Sequence, residues 1–205
     1  MAILSNAVEI ADAGTFSVDL GAMVLIKTIT LSSAAANISF VDGASSVVLY
    51  NTYSSYLFKF INLHPSNNDV IFQTNFSIDG GSNYNVTKTT SSFYVNHTEA
   101  AGGAAVGYST TEDLAQSTAY QNIGENFKND NDSSGCFTMF LFSPSNTTFI
   151  KHFIIKATHM ATNPGSQQAY VGGYCNTTSA VNAINFKMSS GNIDSGVIKM
   201  YGIAK

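Results

Sequence analysis

The sequence predicts an all-β protein, an antiparallel β-sandwich or jelly roll with a short N-terminal arm. Three observations lead there. Apolar residues recur at every second position in short runs; clusters of Gly, Pro, Asn, Asp and Ser separate the runs; and almost no stretch has helical spacing. Such turn spacing gives about nine or ten short strands. The 205 residues fit one sizeable β unit.

Residues 1–31 read as an arm followed by a first strand. Ala11–Gly14 is turn-like, and Val24, Ile26 and Thr28, with Leu31, form a strand face. The sandwich domain is expected over 32–205. Ser32–Ala36 is a loop of small residues, Asn37–Val41 a short strand ended by Asp42-Gly43, and Val47–Tyr50 another short run. The most strongly patterned stretch is Tyr56–Tyr84. Tyr56, Phe58 and Phe60 share one face; His64–Asn68 is a Pro-containing loop; Val70, Phe72, Thr74, Phe76 and Ile78 then alternate with Gln73, Asn75 and Ser77. That is a strand with one buried and one wet face, and the two runs are expected to be antiparallel neighbours. Asp79-Gly80-Gly81 ends the second run with turn chemistry.

Phe93–Val95 is a strand ended by Asn96. Residues 97–135 carry the weakest pattern. Ala100–Gly107 is small and permissive, Thr111-Glu112-Asp113 is a cap signal for one helical turn into Leu114 and Ala115, and Asn129–Gly135 is a polar turn. An exposed loop that meets a partner or a neighbouring subunit is expected here. Phe137–Phe142, a loop at Ser143–Asn146 and Phe149–His159 then echo the earlier pair of runs. Pro65-Ser66-Asn67 and Pro144-Ser145-Asn146 mark either an internal pseudo-repeat or the same inexpensive loop used twice. Tyr170–Tyr174, the alternating Ile184, Phe186 and Met188, and Val197–Ile203 complete the strands.

Charged residues make up 11% of the chain, against about 25% in an average soluble domain. The net charge is −4, and every base is a lysine. Without arginine or a lysine cluster there is no electrostatic footprint for nucleic acid. The start, MAILSNAVEI, is not a secretory signal, and the apolar run Ala22–Ile26 is far too short to span a bilayer, so no membrane insertion is expected. Cys136 and Cys175 read as two half-buried thiols rather than a disulfide framework, with a redox or metal role as the alternative.

Little in the chain carries chemistry. Asp130, Asp132 and Ser134 resemble the first half of a calcium loop, but the twelfth position is Leu141 instead of Glu. The segment reads as a solvated turn, with a calcium site as the alternative. His64, His97, His152 and His159 show no metal-ligand spacing, and regular strand geometry would put His152 and His159 on opposite faces. No G-x-S-x-G elbow occurs, and Asp42, Asp69, Asp79 and Asp113 sit in turn-like contexts. Neither an enzyme nor a cofactor is expected. The N-x-[ST] triplets at Asn37, Asn75, Asn85, Asn96 and Asn146 are what chance gives in so Asn-rich a chain. Tyr50, Tyr53, Tyr56, Tyr84, Tyr94 and Tyr108 either form a sugar-stacking surface or pack between strands and subunits.

Two segments together resemble a known family. Ser77, Asp79, Gly80, Gly81 and Tyr84 give S-x-D-G-G-x-x-Y; Ser190, Gly191, Asn192, Ile193, Gly196, Ile198, Tyr201, Gly202 and Ile203 give S-G-N-I-x-x-G-x-I-x-x-Y-G-I near the C-terminus. In this order they resemble a β-sandwich domain of virion proteins of tailed phages, of the marine-phage type, over roughly residues 30–203. The resemblance implies a non-enzymatic structural role in the virion, with assembly in the host cytoplasm. An arm of this length without a coiled-coil or triple-helical shaft suits a compact protein docked on the particle, a head decoration protein or short tail appendage. Its expected partners are other capsid or tail proteins and copies of itself, in a homotrimer or other symmetric oligomer. Residues 1–31 would dock and 97–135 would contact neighbours or face outward. The rival is a tail-fibre adhesin that recognises host surface glycans; a weaker rival is a glycan hydrolase.

Overall fold

A computed structural model describes residues 3–5, 8–12, 15–16 and 23–203, the first three segments through their backbone alone. Strands are numbered along the chain. β1 (Ile3–Ser5), β2 (Val8–Asp12) and β3 (Thr15–Phe16) form a small antiparallel sheet. Apart from that backbone, residues 1–22 of the expected docking arm lie outside the described residues; of the turn expected at Ala11–Gly14, Ala11 and Asp12 belong to β2.

The rest is an antiparallel β-sandwich of two unequal sheets. The large sheet contains β4 (Met23–Leu31), β6 (Ser55–Pro65), β8 (Lys88–Thr98), β9 (Ala105–Tyr108), β10 (Leu114–Ser117), β12 (Gly135–Phe142), β13 (Lys151–Met160), β14 (Gly165–Cys175) and β16 (Ile193–Ile203). Its order is β10-β8-β14-β13-β12-β6-β16-β4; β10 pairs with the first half of β8 and β9 with the second. The small sheet has four strands, β11 (Gln121–Phe127), β7 (Val70–Ser77), β15 (Ala183–Met188) and β5 (Ile38–Val41), in that order.

Phenylalanines hold the sheets together. Phe186 of β15 lies 4.8 Å from Phe60, 5.6 Å from Phe58, 6.0 Å from Phe72 and 6.1 Å from Phe40, ring centre to ring centre. Phe72 stacks on Phe137 at 5.1 Å, and Phe76 meets Phe153 at 5.0 Å. Period-two sequence puts these rings inward. On β13, Phe153, Ile155 and Ala157 are buried while His152, Ile154 and Lys156 are exposed. His152 and His159 do lie on opposite faces.

Several expectations are corrected. β6 and β7 are not neighbours in one sheet: β6 pairs with β12 and β16, and β7 with β11 and β15. Both carry an aromatic face, and those faces meet across the core, Phe60 against Phe72 at 5.3 Å. β12 and β13 do pair directly, from Gly135↔His159 to Leu141↔Phe153. The first Pro-Ser-Asn loop therefore crosses the sandwich and the second stays within one sheet, so the two halves are not structural copies.

Asn75 and Ser77 are buried instead of wet, because the segment after β7 folds back over them; Asn75 Nδ2 donates to the Tyr84 and Thr118 carbonyls. Residues 97–135 are not one long loop, since they hold β9, β10 and β11, and no helical turn forms at 111–115. Glu112 is buried there, accepting from the Ser92 hydroxyl at 2.6 Å. β8 runs past Asn96 to Thr98, and β14 is longer than 170–174. Val47–Tyr50 is not a strand, although Val47 and Leu49 are buried. With these strands included, the described residues hold sixteen. β4, assigned by sequence to the arm, pairs with β16 along its length as the edge of the large sheet.

Phe186 is wholly buried at the centre of the ring cluster. Phe186→Ala is expected to destabilise the fold by about 3–5 kcal/mol through the lost ring and the cavity left behind, read as a lower urea midpoint at unchanged slope.

Candidate functional site

The residues of the first sequence signature build a turn. The Ser77 hydroxyl donates to the Asp79 carboxylate at 2.6 Å and accepts from the Gly81 N–H at 3.0 Å. Asp79 also accepts from the backbone and side-chain amides of Asn83 at 2.9 and 2.7 Å. The Ser77 hydroxyl first, then Asn83, hold the Asp79 carboxyl down to about 2. Gly80 and Gly81 have φ of 71° and 84°, and Tyr84 lies so close that a Cβ on Gly81 would sit 2.8 Å from its hydroxyl.

The second signature sits at the opposite end of β7. Ser189 bonds the Ile71 backbone, and the next residues dock on the first Pro-Ser-Asn loop. Asn67 donates to Ser190 at 3.0 Å and Asn192 N–H donates to Ser66 at 2.8 Å. Gly191 has φ of 70°, and Gly196, at 128°, sits where the β16–β6 register slips. A Cβ on Gly202 would lie 2.3 Å from the Tyr53 ring, which covers that strand, and Tyr201 faces outward beneath Lys59. The two signatures thus form two separate turns and one strand, with no shared pocket.

The calcium candidate does not close into a cage. The Asp130 carboxylate pairs with Lys128 at 2.7 Å, the Asp130 carbonyl accepts from Ser133 N–H, Asp132 is exposed, and Leu141 is in the core. Among the described residues no three His, Cys, Asp or Glu side chains gather in a metal-binding group. The six tyrosines do not gather either. Tyr56 is buried with its hydroxyl on the Tyr50 carbonyl, and Tyr84 lies over Gly81, while Tyr94 and Tyr108 are on β8 and β9. Cys136 is half-buried, whereas Cys175 is fully buried.

Two surfaces stand out instead. The first is the outer side of the large sheet. Register sets Leu25, Tyr201, Leu57, Phe140 and Ile154 side by side across five strands. Leu25 and Ile154 are 52% and 53% exposed, unusual for large apolar side chains. The neighbouring row reads Lys199, Lys59, Thr138, Lys156, Tyr170 and Phe93. Phe93 stacks flat on Tyr170 at 4.6 Å, and Lys156 lies over the same Tyr170 ring at 5.5 Å. Neither ion pair found among the described residues involves these three lysines.

The second surface is a polar groove of about 630 Å³. It exists because four strands cannot cover nine. The inner side of β8, β9 and the start of β14 overhangs the small sheet, and the end of β11 with the loop at 161–163 forms the far wall. Its lining includes Tyr94, Asn96, Thr98, Glu125, Asn126 and Gln167. The far wall is tied down: the Asn126 carbonyl accepts from Thr162 N–H at 2.7 Å, and Thr111 donates to the Glu125 carboxylate. The Asn96 Oδ1 is enclosed and has no hydrogen-bond partner. Behind this wall, burial and, less strongly, the charge of Glu125 raise the Glu112 carboxyl above its usual range against the Ser92 bond. Only Tyr94 and Tyr108 of this lining were flagged by sequence as candidate ligand contacts. Asn96 and Gln167 look like ordinary polar strand residues until the unequal sheets leave them uncovered.

No family model, no curated protein and no solved structure matches the chain.

His159, beneath the groove, provides a probe of the wall. Its Nε2 lies 2.6 Å from the Glu125 carbonyl, which can only accept, so the neutral ring carries its proton there; the ring stacks on Phe127 at 4.0 Å. Burial lowers its pKa to about 4. Above the unfolded value near 6.5 both states are neutral. Between about 6.5 and 4 the unfolded chain takes up a proton that the folded one refuses, so stability falls as pH falls; below 4 the effect levels off. From pH 7 to pH 5 the His159 contribution is a loss of about 2 kcal/mol. Urea unfolding at the two pH values should show that drop shrinking in His159→Asn, and equal drops in both proteins would contradict it.

Proposed function

We propose that the chain is a non-enzymatic structural subunit of a tailed-phage virion, a compact β-sandwich docked on the particle as a head decoration protein or short tail appendage. The observation that carries this reading is the outer side of the large sheet, where Leu25, Phe140, Ile154, Phe93 and Val95 remain exposed on one continuous face. A face of that size favours burial against a protein. The likeness of the two signature segments to virion domains supplies the setting.

The lysine row supports a cyclic oligomer such as a trimer over a two-fold dimer. A two-fold axis through the lysine row would set Lys199, Lys59 and Lys156 against the same row of a second copy, and like charges across a contact repel. A heterologous contact sets the row against a different surface, and the chain has 13 acidic residues to offer against 9 basic ones. Removing the expected docking arm should abolish incorporation into particles and spare the fold. A truncation should stop before Met23, because β4 belongs to the large sheet.

The double variant Phe140→Ser with Ile154→Asp alters exposed positions, so its melting temperature should fall by no more than about 4 °C. Native mass spectrometry should show an oligomer for the parent chain and a monomer for the variant, and the variant should be missing from assembled particles. A monomeric parent, or a variant incorporated as well as the parent, would sink the reading.

A further inference from the structure

The docked-face reading gives the groove no role. Residues alternate along β8, so Phe93 and Val95 point to the outer face while Tyr94 and Asn96 point into the groove. The two sides of these strands are separate surfaces, and a ligand in the groove has no need of the outer one.

We propose that the groove is a binding site for a neutral oligosaccharide. Its lining is nearly all hydroxyl and carboxamide, with Asn96, Thr98, Asn126 and Gln167 among its members. Such groups both donate and accept, as each sugar hydroxyl does. Among the described residues no donor reaches Asn96 Oδ1, and the Asn96 side chain lines the groove wall. An apolar platform lies next to it. The Tyr94 ring rests against Gly107, where a Cβ would come within 3.2 Å of ring carbons, and the half-exposed ring offers its surface to sugar C–H groups.

Charge selects the class of sugar. The lining contains the Glu125 carboxylate and no lysine; its single imidazole is His97. Sialylated or sulfated glycans would meet a carboxylate without a fixed cation to pair with. The volume of about 630 Å³ falls within the range of about 300–1,000 Å³ typical of small-ligand sites. Glu112 plays no direct part, since it is 1% exposed behind the wall and beyond the reach of a ligand.

The test is saturation-transfer NMR on the full chain with maltotriose, triacetylchitotriose and galactotriose, alongside sialyllactose and a sulfated heparin disaccharide. At least one neutral trisaccharide should give transfer and the two anionic sugars none. Asn96→Ala should weaken the neutral signal about tenfold. Thr110→Trp places a large ring on the exposed rim and should abolish binding at an unchanged melting temperature. The proposal is overturned by no transfer from all three neutral sugars, by preference for an anionic sugar, or by binding that survives Thr110→Trp. None of those results alters the oligomer or incorporation readouts, so the two readings fail separately.

Discussion

One layer of phenylalanine rings joins nine strands to four, and most other features follow from that mismatch. Phe186 touches rings from β5, β6 and β7, so the small sheet is pinned over the centre of the large one. The end of β8 and the start of β14 are then left uncovered on their inner side. On the inner side this exposes polar residues of β8 and β14 as a groove, and the outer side keeps large apolar side chains such as Leu25 and Ile154 exposed. The composition tolerates the arrangement. With 11% charged residues the surface relies on Ser, Thr, Asn and tyrosine hydroxyls, which suit wet and packed settings alike.

The edge of the core is sealed in a different way. Lys151, Cys175 and Lys88 occupy one cross-strand row, and all three are fully buried. Among the described residues no carboxylate pairs with these amines. Lys88 donates to the Asn75 side chain at 2.6 Å and the Val86 carbonyl at 2.7 Å; Lys151 donates to the Phe149 and Thr177 carbonyls. Burial lowers the Lys88 pKa to about 8 and raises that of Cys175 to about 12, against the pull of the two lysines on the thiol. Lone buried amines are expensive, and carbonyl dipoles offset the cost only where the loops are in place. The row therefore ties the pairing of β13, β14 and β8 to the turns at 84–87 and 176–177, since a one-residue slip would turn both lysines outward.

The sandwich was legible in the sequence because period-two burial is a local signal. The inward rings of β6, β7, β12, β13 and β15 all follow from alternation alone. What alternation cannot tell is which strand lies beside which. β6 and β7, adjacent in sequence and both aromatic, meet through rings across the core, and only the partners β12, β16, β11 and β15 reveal it. The strands within 97–135 are hidden from the sequence for a related reason. β9 and β10 each cover four residues and flank one strand, β8, and runs so short carry almost no periodicity. Glu112 looked like part of a helix cap because Thr-Glu-Asp is a local cap signal, whereas the long-range Ser92 bond decides its place. The groove was illegible for the same reason, since it is a consequence of sheet width and no run of residues encodes sheet width.

The outer face raises a question of specificity. Apolar exposure alone would let any two such faces associate in any orientation, and an isologous pair would be the simplest outcome. In the proposed docking, the row of Lys199, Lys59 and Lys156 would disfavour that option at small cost to the monomer. Each lysine stays solvated there, and Lys59 and Lys156 rest over the Tyr201 and Tyr170 rings. Burial against a like row would strip that solvent without supplying a counter-charge, so the penalty appears only in the wrong pairing. Three charges set in a hydrophobic field thereby separate the strength of a contact from its geometry. In the proposed docking, the exposed side chains around Phe140 and Ile154 would supply the drive to associate, and the lysine row would decide which partner surface fits.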